Sequence, residues 1–94
     1  MILRLVKMHF NMDDIDAFLA YFETIKHEIE AMPGNLGLKL YQDTRNKDVF
    51  FTHSFWLNAQ SLEAYRHSDA FKEIWPKTKA MFASKAEAWS LNLK

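Results

Sequence analysis

An α+β fold, with the split βαβ strand order and helices on one face of a four-stranded antiparallel sheet, is predicted by three observations in this 94-residue chain. Two-residue alternation of side-chain character recurs in four separate segments, which is the period of a strand. Three- and four-residue apolar spacing takes over between the first and second of these segments and again between the third and fourth, the period of an amphipathic helix. The second and third segments are joined by the short polar stretch Asp43-Thr44-Arg45-Asn46-Lys47-Asp48, which reads as a hairpin loop.

The first strand is expected over residues 2–10, with Ile2, Val6, Met8 and Phe10 on one parity and Leu3, Leu5, Lys7 and His9 on the other. Both parities are largely apolar, so this strand belongs between two layers, helices on one side and a partner subunit's sheet on the other. Asn11 and Asp13 are N-cap candidates, with Asp14 and Asp16 at the positive end of the helix dipole. Ile15, Phe18, Leu19, Phe22, Ile25, Ile29 and Met32 form the inward stripe of the helix that follows, and Glu23, His27 and Glu30 its outer side. Glu23 and His27 are four residues apart and read as a surface pair. Pro33-Gly34 ends the helix, because proline interrupts the hydrogen-bond ladder and glycine takes the left-handed exit.

Residues 36–42 and 49–57 are the hairpin strands. The first carries Leu36, Leu38 and Leu40 on one parity. On the second, Phe51, His53 and Phe55 share one face, and Phe50, Thr52, Ser54 and Trp56 the other. Asn58 caps a short helix with Leu62 and Tyr65 turned inward, and Ser68-Asp69 caps another in which Phe71, Ile74, Trp75, Thr78, Met81 and Phe82 keep helical spacing. Pro76 lies inside that second segment and predicts a kink or a break there. Residues 87–93 alternate as a closing strand. The order β-α-β-β-α-β is the ferredoxin-like pattern, and its length suits one domain over residues 1–94.

Composition narrows the function. The chain is 49% hydrophobic and 15% aromatic, rich for its size, and predicts a homodimer that hides part of this surface through its sheet faces. Twelve basic residues balance twelve acidic ones without clustering, so no nucleic-acid footprint is present. There is no cysteine, hence no disulfide, thiolate nucleophile or cysteine-based metal site. With only two glycines a backbone cradle for phosphate is not expected. The N-terminal MILRLVKMHF lacks the apolar core of a signal peptide, and no run of the chain is a membrane span, so a soluble, cytoplasmic protein is predicted. Four dispersed histidines without metal-ligand spacing predict no dedicated metal centre. Five of the eight phenylalanines and two of the three tryptophans fall between Phe50 and Phe82, so a ligand pocket is expected to be walled there.

The strand ILRLVKMHF, the long first helix, the hairpin, and FFTHSFW leading into LNAQSLEAYRHSDAFKEIW together resemble the antibiotic biosynthesis monooxygenase domain family. That family also includes quinol monooxygenase-like and haem-degrading proteins. The most telling part is a strand ending in Trp56, a polar helix start, the aromatic Tyr65, and Ser68-Asp69 with Phe71. The resemblance implies a dimeric α/β barrel. It also implies a pocket between helices and sheet, and oxygenation of a small aromatic, phenolic or quinol substrate by dioxygen without metal or flavin cofactor. Trp56 matches the pocket tryptophan of the haem-degrading branch. That branch's ligating histidine should follow Phe71-Lys72, where this chain has Trp75, and its first-strand asparagine is replaced by the Lys7-Met8-His9 stretch. Both departures count against haem, although His67 lies one turn earlier. A non-catalytic ligand-binding or stress-response module of the same fold is the alternative to an enzyme.

His53 is the first candidate catalytic group, since an imidazole titrates near neutral pH and would take the proton of a phenol. It reads more readily as a hydrogen-bonded histidine in the sheet–sheet interface, and by parity it faces away from Trp56. Tyr65 is the second candidate, either a donor to a substrate oxygen or a packing residue. Thr52, Ser54 and Trp56 share one face and are expected to bind the substrate, Trp56 by stacking or else by filling the core. Phe71 and Trp75 have the spacing of a core stripe, and their substrate-binding role follows from the resemblance.

Overall fold

The computed structural model describes residues 1–94. The elements run β1 (Ile2–His9), a 3-10 turn (Met12–Asp14), α1 (Ile15–Glu30), β2 (Asn35–Gln42), β3 (Val49–Trp56), α2 (Ala59–Arg66), α3 (Asp69–Lys79) and β4 (Glu87–Asn92). The strands form one antiparallel sheet in the order β2-β3-β1-β4, which makes the chain an α+β ferredoxin-like fold.

The sheet's inner face holds the even-numbered residues of β1 and β3, where Met8, Phe50, Ser54 and Trp56 are buried. Against it α1 lays Phe18, Phe22, Ile25 and Ile29, all buried, as its three- and four-residue spacing requires. Phe10, just past β1, closes the core at one end. Its ring stacks on Phe18 at 4.0 Å and meets Phe50 and Phe82 edge-on. The outer face carries the odd-numbered residues and has no helix over it. Its central row runs Trp89, Leu5, His53, Lys39 in register, with Leu91, Leu3 and Phe55 in the row beside it. Trp89, Leu91 and Tyr41 are exposed there.

One end of the sheet is held by side-chain bonds between distant segments. His9 bonds Asp48 Oδ2 through Nε2 at 2.7 Å and Ser84 Oγ through Nδ1 at 2.8 Å, tying β1 to the hairpin and to the segment before β4. Asn11 and Asp13 are the expected caps, yet α1 has Asp14 as its N-cap, and neither Asp14 nor Asn11 makes a side-chain capping bond. The Asn11 amide N–H groups instead donate to the carbonyls of Met81 and Phe82 on the returning chain.

Further expectations are corrected. Leu36 does not join the inward parity of Leu38 and Leu40. Asn35 pairs with Trp56 and Gly37 with Phe55, so Leu36 is looped out and exposed. The Asn35 side-chain oxygen accepts the Gly37 N–H at 2.8 Å and holds this bulge. Pro76 does not break α3, which continues from Asp69 to Lys79. Pro76 and Lys72 are both exposed, so water reaches the Lys72 carbonyl that loses its partner, while Ile74 and Thr78 stay buried on the other side. Glu23 pairs with Lys26 and His27 with Glu30, rather than with each other.

Candidate active site

Between the helices and the inner face of the sheet lies a cavity of about 260 Å³ with mostly apolar walls. Its floor is the sheet, where Val6, Met8, Thr52 and Ser54 point inward by strand parity. Its roof is the buried stripe of α1. Its side wall comes from α2 and α3, which present Tyr65, Phe71 and Trp75.

This wall exists because each short helix is capped by a serine or asparagine. Asn58 Oδ1 accepts the Ser61 N–H at 2.8 Å and starts α2, and Ser68 Oγ accepts the Phe71 N–H at 3.1 Å and starts α3. The rings pack in series. Tyr65 stacks on Trp56 at 5.1 Å, meets Phe71 edge-on at 5.2 Å, and Phe71 lies parallel to Trp75 at 5.9 Å. Such a wall is preformed and has few rotamers to freeze on binding.

The expected site residues divide between two faces. Thr52, Ser54, Tyr65, Phe71 and Trp75 all line the cavity. Trp56 is fully buried behind Tyr65 and is not part of the cavity surface. Its indole N–H donates to Ser54 Oγ at 2.9 Å, so Ser54 already serves as an acceptor there. His53 is on the opposite face of the sheet, against Tyr41 at 4.7 Å between ring centres, because it is one residue out of phase with Thr52 and Ser54.

The Tyr65 hydroxyl has no hydrogen-bond partner within the protein. Burial, with smaller contributions from Glu28 and Tyr21, pushes its pKa up to about 12. At neutral pH it is therefore a phenol with a free O–H to donate.

Two residues of this site were not singled out from sequence. Arg4, on the inner face of β1, and Arg66, in the last turn of α2, are the charged side chains on the cavity surface. Arg4 donates to Ser90 Oγ at 2.9 Å and has no carboxylate within ion-pair range, and Arg66 contacts Glu63 at 3.3 Å. Desolvation, and next the charge of Arg66, lower the Arg4 pKa, with Glu63 acting weakly the other way. The available signal was an arginine on the parity of Val6 and Met8.

Haem does not suit these residues. No histidine lines the cavity, and His67 is on the surface with Nε2 2.8 Å from Glu63. Nor does any cluster of three or more histidine, aspartate or glutamate side chains form a metal site.

A family model described as antibiotic biosynthesis monooxygenase matches residues 1–76. The chain belongs to this family. The matched range of this antibiotic biosynthesis monooxygenase domain contains Arg4, Tyr65, Arg66, Phe71 and Trp75. A solved antibiotic biosynthesis monooxygenase superimposes with a TM-score of 0.92 at 15% identity, over 100% of this chain and 99% of that one. A conserved protein from Methanosarcina mazei gives 0.92 at 22% identity, over 99% of this chain and 93% of that one. Rv0793 from Mycobacterium tuberculosis gives 0.89 at 12% identity, over 99% and 94%. Likeness at these identities concerns the fold. No curated protein matches the chain.

Proposed function

We propose that this protein is a monooxygenase that oxidises a small aromatic, phenolic or quinol compound with dioxygen, without a cofactor. The observation that carries the reading is the cavity under the helices, apolar except at a few points and walled by parallel and edge-on aromatic rings, in a chain of the antibiotic biosynthesis monooxygenase family. Its volume of about 260 Å³ lies just below the usual span of ligand sites, roughly 300–1,000 Å³, and suits one or two fused rings.

The chemistry asks little of the protein. A phenolate gives an electron to dioxygen far more readily than a phenol does. For a phenol with a free para C–H, one oxygen atom enters as the second quinone carbonyl and the other leaves as water. The substrate itself supplies the four electrons, so no external reductant is required. The residues contribute orientation and a dry site. Phe71 and Trp75 hold the ring plane, Thr52 orients the oxygens, and Tyr65 donates a hydrogen bond to a substrate oxygen. His53 is assigned to the sheet–sheet interface instead.

The same reading makes the protein a single-domain, cytoplasmic homodimer whose outer sheet faces pack on each other. The uncovered row of Trp89, Leu5 and His53 beside Leu91, Leu3 and Phe55 supports it, because an apolar strip of this kind favours burial against a second copy.

The test is oxygen uptake, measured with an electrode, against a panel of hydroquinones and polycyclic phenols. Uptake above the autoxidation blank, insensitive to chelator and lowered by Tyr65→Phe and Trp75→Ala, is expected. Absence of uptake across the panel, with tight binding of the same compounds, would make the protein a binding module.

A further inference from the structure

The cavity is apolar, yet its charged lining groups are both guanidiniums, and no aspartate, glutamate or histidine is among its lining residues. Arg4 is the sharper anomaly. It is half-buried on the sheet floor with no carboxylate in range, bonded within the protein only to the neutral Ser90 hydroxyl. A partly desolvated cation opposed only by the Glu63 charge beyond ion-pair range is unfavourable, and residues of this kind are normally paired. Arg66, ion-paired to Glu63 at 3.3 Å, brings a second guanidinium to the cavity rather than a carboxylate. Each guanidinium carries five N–H donors and has a single protein acceptor, so most of this donor capacity is unused. Glu63, which touches Arg66, is outside the cavity lining.

We propose that the ligand of this cavity is a planar aromatic anion whose oxyanion is held by Arg4 and Arg66, its ring lying against Phe71 and Trp75. The inference rests on the cavity being the substrate site, and it specifies the substrate class. Guanidinium donors match a carboxylate or an aryl oxide, and such charge-assisted bonds are stronger than those to a neutral oxygen.

This assignment also supplies what the cavity otherwise lacks. Oxygenation of a phenol needs the phenolate, and there is no imidazole or carboxylate here to take the proton. The unpaired charge of Arg4, with the donors of Arg66 beside it, lowers the pKa of a bound phenol or enol, so it sits in the site already ionised, its proton having gone to solvent. Tyr65, which stays protonated, donates to the same oxyanion. A specific protein base is then unnecessary.

The experiment is calorimetric binding at fixed pH near neutrality, with two pairs of near-isosteric probes. One pair is 2-naphthoate and 2-naphthamide. The other is 2-hydroxy-1,4-naphthoquinone, ionised at that pH, and its methyl ether. At least one anion is expected to bind about tenfold or more tightly than its neutral partner. That preference should fall to near unity in R4Q and R66Q, survive in R4K or R66K, and shrink with added salt, while the neutral probes bind all variants alike. Preference in the first pair alone identifies a carboxylate ligand, and in the second an enolate or phenolate. Equal affinity within both pairs, no binding of either anion, or a preference that persists in R4Q and R66Q would overturn the proposal. Arg66 is half-exposed, so R66Q decides the matter if R4Q does not fold. These readouts involve no turnover. An anion preference without oxygen uptake would remove the oxygenase reading and leave this one standing.

Discussion

The indole N–H of Trp56 reaches back one pleat to donate to Ser54 Oγ at 2.9 Å, and both residues are buried. The bond fixes a ring against which Tyr65 stacks. Trp56 therefore meets the cavity wall through Tyr65 and does not line the cavity itself. Ser54→Ala leaves a buried indole donor unpaired and is expected to cost about 1–3 kcal/mol in urea unfolding. Trp56→Ala, which empties the largest fully buried side chain, is expected to cost about 3–5 kcal/mol. Trp56→Phe should retain ligand affinity within a few-fold, whereas a direct stacking role would make it fall with the loss of the indole.

Tyr65 gives a pH dependence with a defined sign. Its pKa is about 12 in the folded protein against 10.0 when unperturbed, so the folded state holds the proton longer. The stability linked to this group is full below pH 10 and is lost as pH rises through about 12, by about 2–3 kcal/mol. Denaturant titrations between those values, wild type against Tyr65→Phe, should diverge at the alkaline end. Ultraviolet titration should assign the missing late-ionising phenol to Tyr65.

Gly34 sets where α2 lies on the hairpin. Its φ is 81°, and a Cβ placed there would collide with Ser61 of α2. Gly34→Ala is expected to destabilise by more than about 1 kcal/mol, from strain plus collision. Combining it with Ser61→Gly should recover the steric part only, and a double-mutant cycle measures that fraction.

Leu5 lies between His53 and Trp89 at the centre of the outer face. Leu5→Glu is expected to shift the protein to a monomer in sedimentation velocity, because a carboxylate there would lose its water in a sheet-to-sheet contact, a desolvation cost that the His53 imidazole opposite it does not offset. A far-ultraviolet spectrum unchanged by the substitution separates dissociation from unfolding. Retention of the wild-type mass would remove this face as the dimer interface.

Much of the fold was legible in the sequence, because periodicity is a local property. The two-residue alternation separated His53 from Thr52 and Ser54, and the stripe of Phe18, Phe22, Ile25 and Ile29 marked the buried side of α1. Serine and asparagine caps located the starts of α2 and α3 because capping is a contact three residues long. Tertiary structure decided what depends on meetings between distant segments. The bulge at Leu36 answers to the register of β2 on β3, and the Asn11 amide to the returning chain at Met81 and Phe82. Whether Trp56 or Tyr65 faces the cavity was settled by which ring lay above the other. Arg4 and Arg66 are 62 positions apart by number, and no pattern within either segment reveals that both line one cavity. Periodicity tells which face a side chain takes; only the packing of helices on the sheet determines which faces share a space, since that depends on volumes and bonds the chain brings together from far apart.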